Sequence, residues 1–170
     1  MKWLFRIIGL TLLVFLTLCV IGFFMPAQQR VDASAILEAD SLTVFEVLSD
    51  LRSYPEWSGV GGPESEWVFG GAEEGTGQTA AWHSGDAFGS VDILQTEPGQ
   101  FILLQTIGPL GEQTMTLALN EGENGTGFLI EAQRELGGFP YIGRVVSFRQ
   151  KAATQRALNS ATEGLAQMVQ

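Results

Sequence analysis

The chain has 170 residues, 45% of them hydrophobic and 16% charged, with nineteen acids against nine bases and a net charge of −10. That balance excludes a general nucleic-acid binder, which needs surplus Lys and Arg against phosphate. A single Cys (Cys19) and a single His (His83) exclude a disulfide framework and a Cys/His zinc site, so no metal or other cofactor is expected.

The apolar surplus sits at the start. Residues 7–25 carry no charge, follow Lys2 and Arg6, and end at Pro26. As a helix they would span about 28 Å, close to the ~30 Å hydrocarbon core of a bilayer. A cleavable signal peptide has a shorter apolar core and small residues at its cleavage site, where this chain has Met25 and Pro26. A lipoprotein would need a small residue before Cys19 in place of Leu18. Residues 1–27 therefore read as a signal anchor, inserted through residues 7–25. Lys2 and Arg6 keep the N-terminus cytoplasmic, and residues 28–170 form one domain outside the cytoplasm. Without Lys2 and Arg6, that domain holds seven bases and all nineteen acids, a net of −12.

Residues 28–37 alternate apolar Val31, Ala33, Ala35 and Leu37 with Asp32 and Ser34, the period of a strand. Asp40 or Ser41 caps a helix reaching Asp50, with Leu42, Phe45 and Leu48 predicted as its apolar face. A second short helical segment covers 51–58, around Pro55. Six strands follow, at about 65–70, 77–84, 89–97, 100–108, 113–120 and 126–135, punctuated by Gly-Gly, Gly-Asp, Pro-Gly, Gly-Pro and Asn-Gly pairs. Residues 141–168 then make one long helix, whose predicted buried stripe runs Val145, Phe148, Ala152, Leu158, Ala161, Leu165 and Met168. The order describes an α+β fold: a curved antiparallel sheet of about seven strands around a long C-terminal helix.

The run Val44-Phe45-Glu46-Val47-Leu48-Ser49-Asp50-Leu51-Arg52-Ser53-Tyr54-Pro55-Glu56-Trp57-Ser58, placed after a first strand, resembles the opening of the polyketide cyclase/dehydrase and lipid-transport family. That family is part of the START-like, helix-grip SRPBCC superfamily. The likeness continues through Gly70-Gly71-Ala72-Glu73-Glu74-Gly75-Thr76-Gly77 to Trp82, through Gly89-Ser90 and Glu97-Pro98, and through Phe139-Pro140-Tyr141-Ile142-Gly143-Arg144. The leader ending Gly22-Phe23-Phe24-Met25-Pro26 looks like that of membrane-anchored bacterial members. The resemblance implies a deep apolar cavity between sheet and helix that takes lipid-like or other hydrophobic molecules. Its motifs are architectural and carry over no catalytic residue.

The cavity candidates are Tyr54, Trp57, Trp82, Phe88, Phe101, Met115, Arg134, Phe148 and Ala152. Large aromatics serve equally as core. Arg134 shares strand parity with Phe128, Ile130 and Ala132, so it points to the apolar face. There it pairs with a ligand anion, pairs with an acid, or snorkels to water. His83 has no partner motif and lies on the opposite strand face from Trp82. Gly75-Thr76-Gly77-Gln78-Thr79-Ala80 matches dinucleotide spacing but leads into a strand, not a helix, and is set aside. Five of the domain's seven bases (Arg134, Arg144, Arg149, Lys151, Arg156) lie in its last quarter, either as a solvated helix face or as a surface turned toward lipid headgroups. The function expected is a membrane-anchored binding module whose partners are a hydrophobic or lipid-like small molecule and the membrane, with no nucleic acid. The alternatives are a cyclase- or hydrolase-like enzyme using Arg134 with Tyr54 or His83, and a partner-binding envelope domain.

Overall fold

Alternation along residues 28–37 produces β1 (Gln28–Leu37), which buries Val31, Ala33 and Leu37 and turns Asp32 and Ser34 outward. Ahead of it stands α1 (Lys2–Phe24), whose exposed segment Trp3–Phe24 is long and apolar enough to cross a membrane. The computed structural model describes residues 2–109, 111–123, 125–137 and 141–170, and their side chains except those of Lys2, Ile142, Val146, Phe148 and Arg149. The predicted cavity role of Phe148, the Asn124 half of the Asn-Gly turn and the Phe139-Pro140 pair thus lie outside the described residues.

Asp40 caps α2 (Ser41–Ser49): its Oδ1 accepts from the backbone N–H of Leu42 at 3.1 Å and of Thr43 at 3.0 Å. The buried face of α2 is Ser41, Val44 and Leu48, continued by Leu51. Leu42, predicted on that face, is exposed. The i, i+3, i+4 rows that join Val44 to Leu48 and Leu51 turn it toward the turn at Gly99 instead. The next helix, α3 (Tyr54–Ser58), carries Pro55 in its first turn, where proline's missing N–H is tolerated. Gly59, at φ 64°, closes it in the left-handed region that favours glycine.

Six further strands complete the sheet: β2 (Glu66–Gly71), β3 (Gln78–Ser84), β4 (Ala87–Glu97), β5 (Phe101–Gly108), β6 (Gly111–Gly122) and β7 (Gly125–Glu135). Every neighbouring pair is antiparallel, in the order β1-β7-β6-β5-β4-β3-β2. The strands after β1 are thus sequential hairpins, and β1 closes on the last of them. Between Ile93 and Gln95 the register of β4 against β5 slips by one residue, a bulge that adds bend to the sheet. The inner face presents Val91, Ile93, Ile102, Leu104, Leu117, Phe128 and Ile130, all nearly inaccessible.

The long helix α4 (Ile142–Met168) packs along β1 and α3, and Gln155 Nε2 donates to the Asp32 carbonyl of β1 at 2.7 Å. Its buried stripe is Ser147, Thr154, Leu158, Ala161, Thr162 and Leu165. This corrects the predicted stripe: Ala152 is exposed and Met168 is 38% exposed. At 3.6 residues per turn the six positions from Leu158 back to Ala152 rotate that side chain about 120° off the buried face. Four and eleven positions back bring Thr154 and Ser147 onto it. The buried hydroxyls bond to carbonyls one turn earlier, Thr154 to Gln150 at 3.2 Å and Thr162 to Leu158 at 2.8 Å, so the stripe tolerates them.

Candidate functional site

Between α4 and the inner face of the sheet lies a cavity of about 180 Å³. Tyr54, Trp57 and Ser58 come to it from α3, Trp82 and Val91 from β3 and β4, and Thr106, Gln113 and Met115 from β5 and β6. Thr154, Ala157, Leu158 and Ala161 form the α4 wall. Small side chains on α4 therefore leave space opposite the sheet.

An aromatic cluster walls one end. Tyr54 meets Trp57 edge to face at 4.9 Å and Trp67 at 6.0 Å, while Trp67 and Trp82 lie 6.4 Å apart. Trp82 pairs across the β3–β4 ladder with Gly89, where a Cβ would stand 2.7 Å from the indole Nε1. Gly89 thus gives the ring a seat on the inner face. Burial pushes the Tyr54 phenol up to about 12, against a hydrogen bond with Ser58 that lowers it, so Tyr54 is a neutral wall at physiological pH.

The α2–α3 turn, which leads into the Tyr54 helix, is held by Gln78, which is 1% exposed. Its Oε1 accepts from the Leu51 N–H at 2.7 Å, and its Nε2 donates to Asp50 Oδ1 at 3.1 Å and to the Glu73 carbonyl at 3.0 Å. Burial raises the Asp50 pKa, but hydrogen bonds from the Arg52 N–H and Gln78, with the Arg52 charge, hold it below the ordinary value.

A second, polar cleft of about 580 Å³ adjoins the first, sharing Gly111 and Gln113 with it. Arg134 lines this cleft, with Glu112, Glu135, Ser147 and Gln150. Arg134 is 8% exposed as a residue, burial pulls its pKa down, and Nη2 donates to Gln29 Oε1 at 2.9 Å.

Of the predicted cavity residues, Tyr54, Trp57, Trp82 and Met115 meet in the apolar cavity, and Arg134 sits in the polar cleft beside it. Three are placed elsewhere. Phe88 is 69% exposed, because the core face of β4 is the Gly89, Val91, Ile93 set. Phe101 is half-buried on the outer face, opposite Ile102 and Leu104 in parity. Ala152 is off the stripe, as described above. His83 is exposed on β3 and lines neither space, so Tyr54, His83 and Arg134 do not converge. Among the described residues no group of three or more His, Cys, Asp or Glu is placed to hold a metal. Sequence reasoning missed Thr106, Gln113 and Thr154. The first two continue the buried parity of Ile102/Leu104 and of Met115/Leu117, which was the available signal.

No protein-family model matches the chain, and no curated protein matches it. Solved structures do match. An uncharacterized protein from Rhizobium leguminosarum superposes with a TM-score of 0.62 at 13% identity, over 84% of this chain and 94% of that one. The solution structure of KanY gives 0.61 at 13% identity, over 85% and 99%. DynU16, from the dynemicin biosynthetic locus, gives 0.57 at 18% identity, over 81% of this chain but 46% of its own. At these identities the likeness establishes the fold. The chain has the helix-grip fold, a curved seven-stranded antiparallel sheet around a long C-terminal helix, behind an apolar N-terminal helix.

Proposed function

We propose that the chain is a membrane-anchored binding module of the polyketide cyclase and lipid-transport kind. It would hold the apolar part of a small molecule between the sheet and α4. The observation that carries this reading is the roughly 180 Å³ cavity with its aromatic end wall. An apolar cavity of about 150 Å³ is enough to stay dry and admit a benzene ring. This one accordingly takes a ring or a short acyl or isoprenoid segment, and not both tails of a phospholipid. The adjoining cleft with Arg134 and Gln113 supplies a polar end, so the ligand class is amphipathic: an apolar segment bearing a hydroxyl, carbonyl or acid.

DynU16 belongs to the dynemicin biosynthetic locus, which supports a small-molecule ligand without naming one. The scattering of Tyr54, His83 and Arg134 favours binding over catalysis. The length and apolarity of α1 support an uncleaved anchor, with Lys2 and Arg6 holding the N-terminus in the cytoplasm. The test is organic extraction of the full chain, purified from membranes in an uncharged detergent, followed by mass spectrometry. One apolar or amphipathic compound is expected at near-stoichiometric yield. Only bulk membrane lipid, in the proportions of the source membrane, would contradict the reading.

A further inference from the structure

At the junction of α1 with the domain, the last turn of the helix is docked on the start of α4. Gly22 is buried there, and a Cβ on it would stand 2.8 Å from Tyr141 Cβ and 2.9 Å from the Tyr141 carbonyl carbon. Phe23 meets the Tyr141 ring edge on at 5.8 Å, and the Arg144 guanidinium lies 4.8 Å from that ring's centre. Arg144 also donates through Nη1 to the Met25 carbonyl and through Nε to the Gly137 carbonyl, each at 3.3 Å. The Leu136 N–H donates to the Ala27 carbonyl at 2.7 Å. Tyr141 has φ 61°, a left-handed backbone that among the described non-glycine residues it alone adopts. So tight a joint leaves no swinging linker between helix and domain.

Beside this joint opens a cleft of about 210 Å³, lined by Met25 and Pro26, by Gln28, Gln29 and Arg30 of β1, and by Arg144, Ser147 and Lys151 of α4. Three of the domain's seven bases stand on it, and none of its lining residues is acidic. Glu131 pairs with Arg30, which leaves a local excess of two positive charges in a domain of net −12. Arg30 and Lys151 are exposed, and the bonds of Arg144 leave its Nη2 hydrogens to a ligand. Met25 and Pro26 directly follow the apolar span Trp3–Phe24, so with α1 read as the anchor this cleft stands at headgroup depth.

We infer that this cleft binds the phosphate of a phospholipid headgroup in the leaflet where α1 emerges. The inference rests on reading α1 as a membrane anchor. Arg144 supplies planar donors that match phosphate oxygens, Lys151 adds a point charge, and Arg30 adds the donors that Glu131 does not engage. One bound headgroup fixes the tilt of the domain, holding its basic joint at the surface while the acidic bulk is repelled from it.

The test uses the full chain in dodecyl maltoside and native mass spectrometry. The probes are dioleoylphosphatidylglycerol, dioleoylglycerol with the same tails but no phosphate, and glycerol 1-phosphate as a soluble competitor. Phosphatidylglycerol is expected to be retained at least tenfold better than dioleoylglycerol, and millimolar glycerol phosphate is expected to leave it bound. The Arg30→Gln/Lys151→Gln variant keeps Arg144 and its joint and changes exposed side chains only. It should bind roughly 25-fold more weakly, at about fivefold per base removed from an anionic surface. Equal retention of the two lipids, full retention by the variant, or displacement by micromolar glycerol phosphate would each overturn the assignment. Alkaline carbonate extraction of membranes tests the anchor separately: release of the chain there refutes the anchor, whatever lipid the detergent-purified chain retains.

Discussion

Two glycines of α4 offer a comparison in which one substitution should act with opposite signs. Gly164 lies against α3, and a Cβ on it would stand 2.6 Å from the Trp57 carbonyl oxygen and 3.3 Å from both its carbonyl carbon and its Cα. Those are backbone atoms and cannot rotate away, so Gly164→Ala must push α4 from α3. Gly143, in the first turn of the same helix, has open space where its Cβ would be. Replacing a helical glycine by alanine stabilises by up to about 1 kcal/mol. At Gly164 that gain is opposed by an overpacking cost of roughly 1–3 kcal/mol. The two variants should therefore differ by about 1–3 kcal/mol, or roughly 2–12 °C in melting temperature at about 2–4 °C per kcal/mol. Thermal melts of both full-length variants in the same detergent measure this, with Gly143→Ala at or above the parent and Gly164→Ala below it. If Gly164→Ala melts as high as Gly143→Ala, the close approach of α4 to Trp57 is not what shapes the cavity.

Further expectations follow from the side chains around the site. Gln78→Leu keeps volume but strands the buried Leu51 N–H, and should cost about 2–3 kcal/mol, with faster hydrogen exchange at Leu51. Tyr54 has its folded pKa raised to about 12 from 10.0, so it favours the folded state fully below pH 10, and that contribution is lost as pH rises toward 12. Tyr54→Phe should flatten the alkaline fall in melting temperature over that window; an unchanged slope would show that the Tyr54 phenol is not desolvated in the cavity wall. Asp40, held low by the Thr43 hydroxyl and backbone bonds, and Asp50 have depressed pKa values. Their contributions are present above the unfolded value of 3.8 and fade as pH falls below it. The Asp40→Asn/Asp50→Asn variant should lose part of the parent's acid sensitivity between pH 5 and 3 in melts, and a parallel curve would refute those assignments.

Most of the architecture was legible because its signals are local. Period-two alternation and paired turn residues located all seven strands to within a few positions, and Asp40 and Asp50 bounded α2 as expected. Side-chain facing was legible only where alternation was strong. Met115 and Arg134 follow their apolar neighbours inward. Phe88 and Phe101 are as hydrophobic as those neighbours yet sit on the other parity, where hydrophobicity alone misleads. The α4 stripe slipped because residues 150–157 offer alanines and polar residues with no large apolar side chain to fix the rotation. The buried position there is Thr154, with Ser147 two turns earlier, and both hydroxyls bond to carbonyls of the preceding turn. The α1–α4 joint depends on contacts between distant segments, which periodicity does not report.

On the proposed reading, the space between Trp57, Trp82 and Ala157 holds the apolar part of a ligand. Ala157→Trp places an indole in that space from an exposed helix position, where the fold has little to lose. The most direct measurement compares compounds extracted from parent and Ala157→Trp protein, purified side by side and melting alike. A near-stoichiometric hydrophobic compound is expected with the parent, and its loss from the variant. The same compound at the same yield from both proteins would show that the cavity is not where it binds.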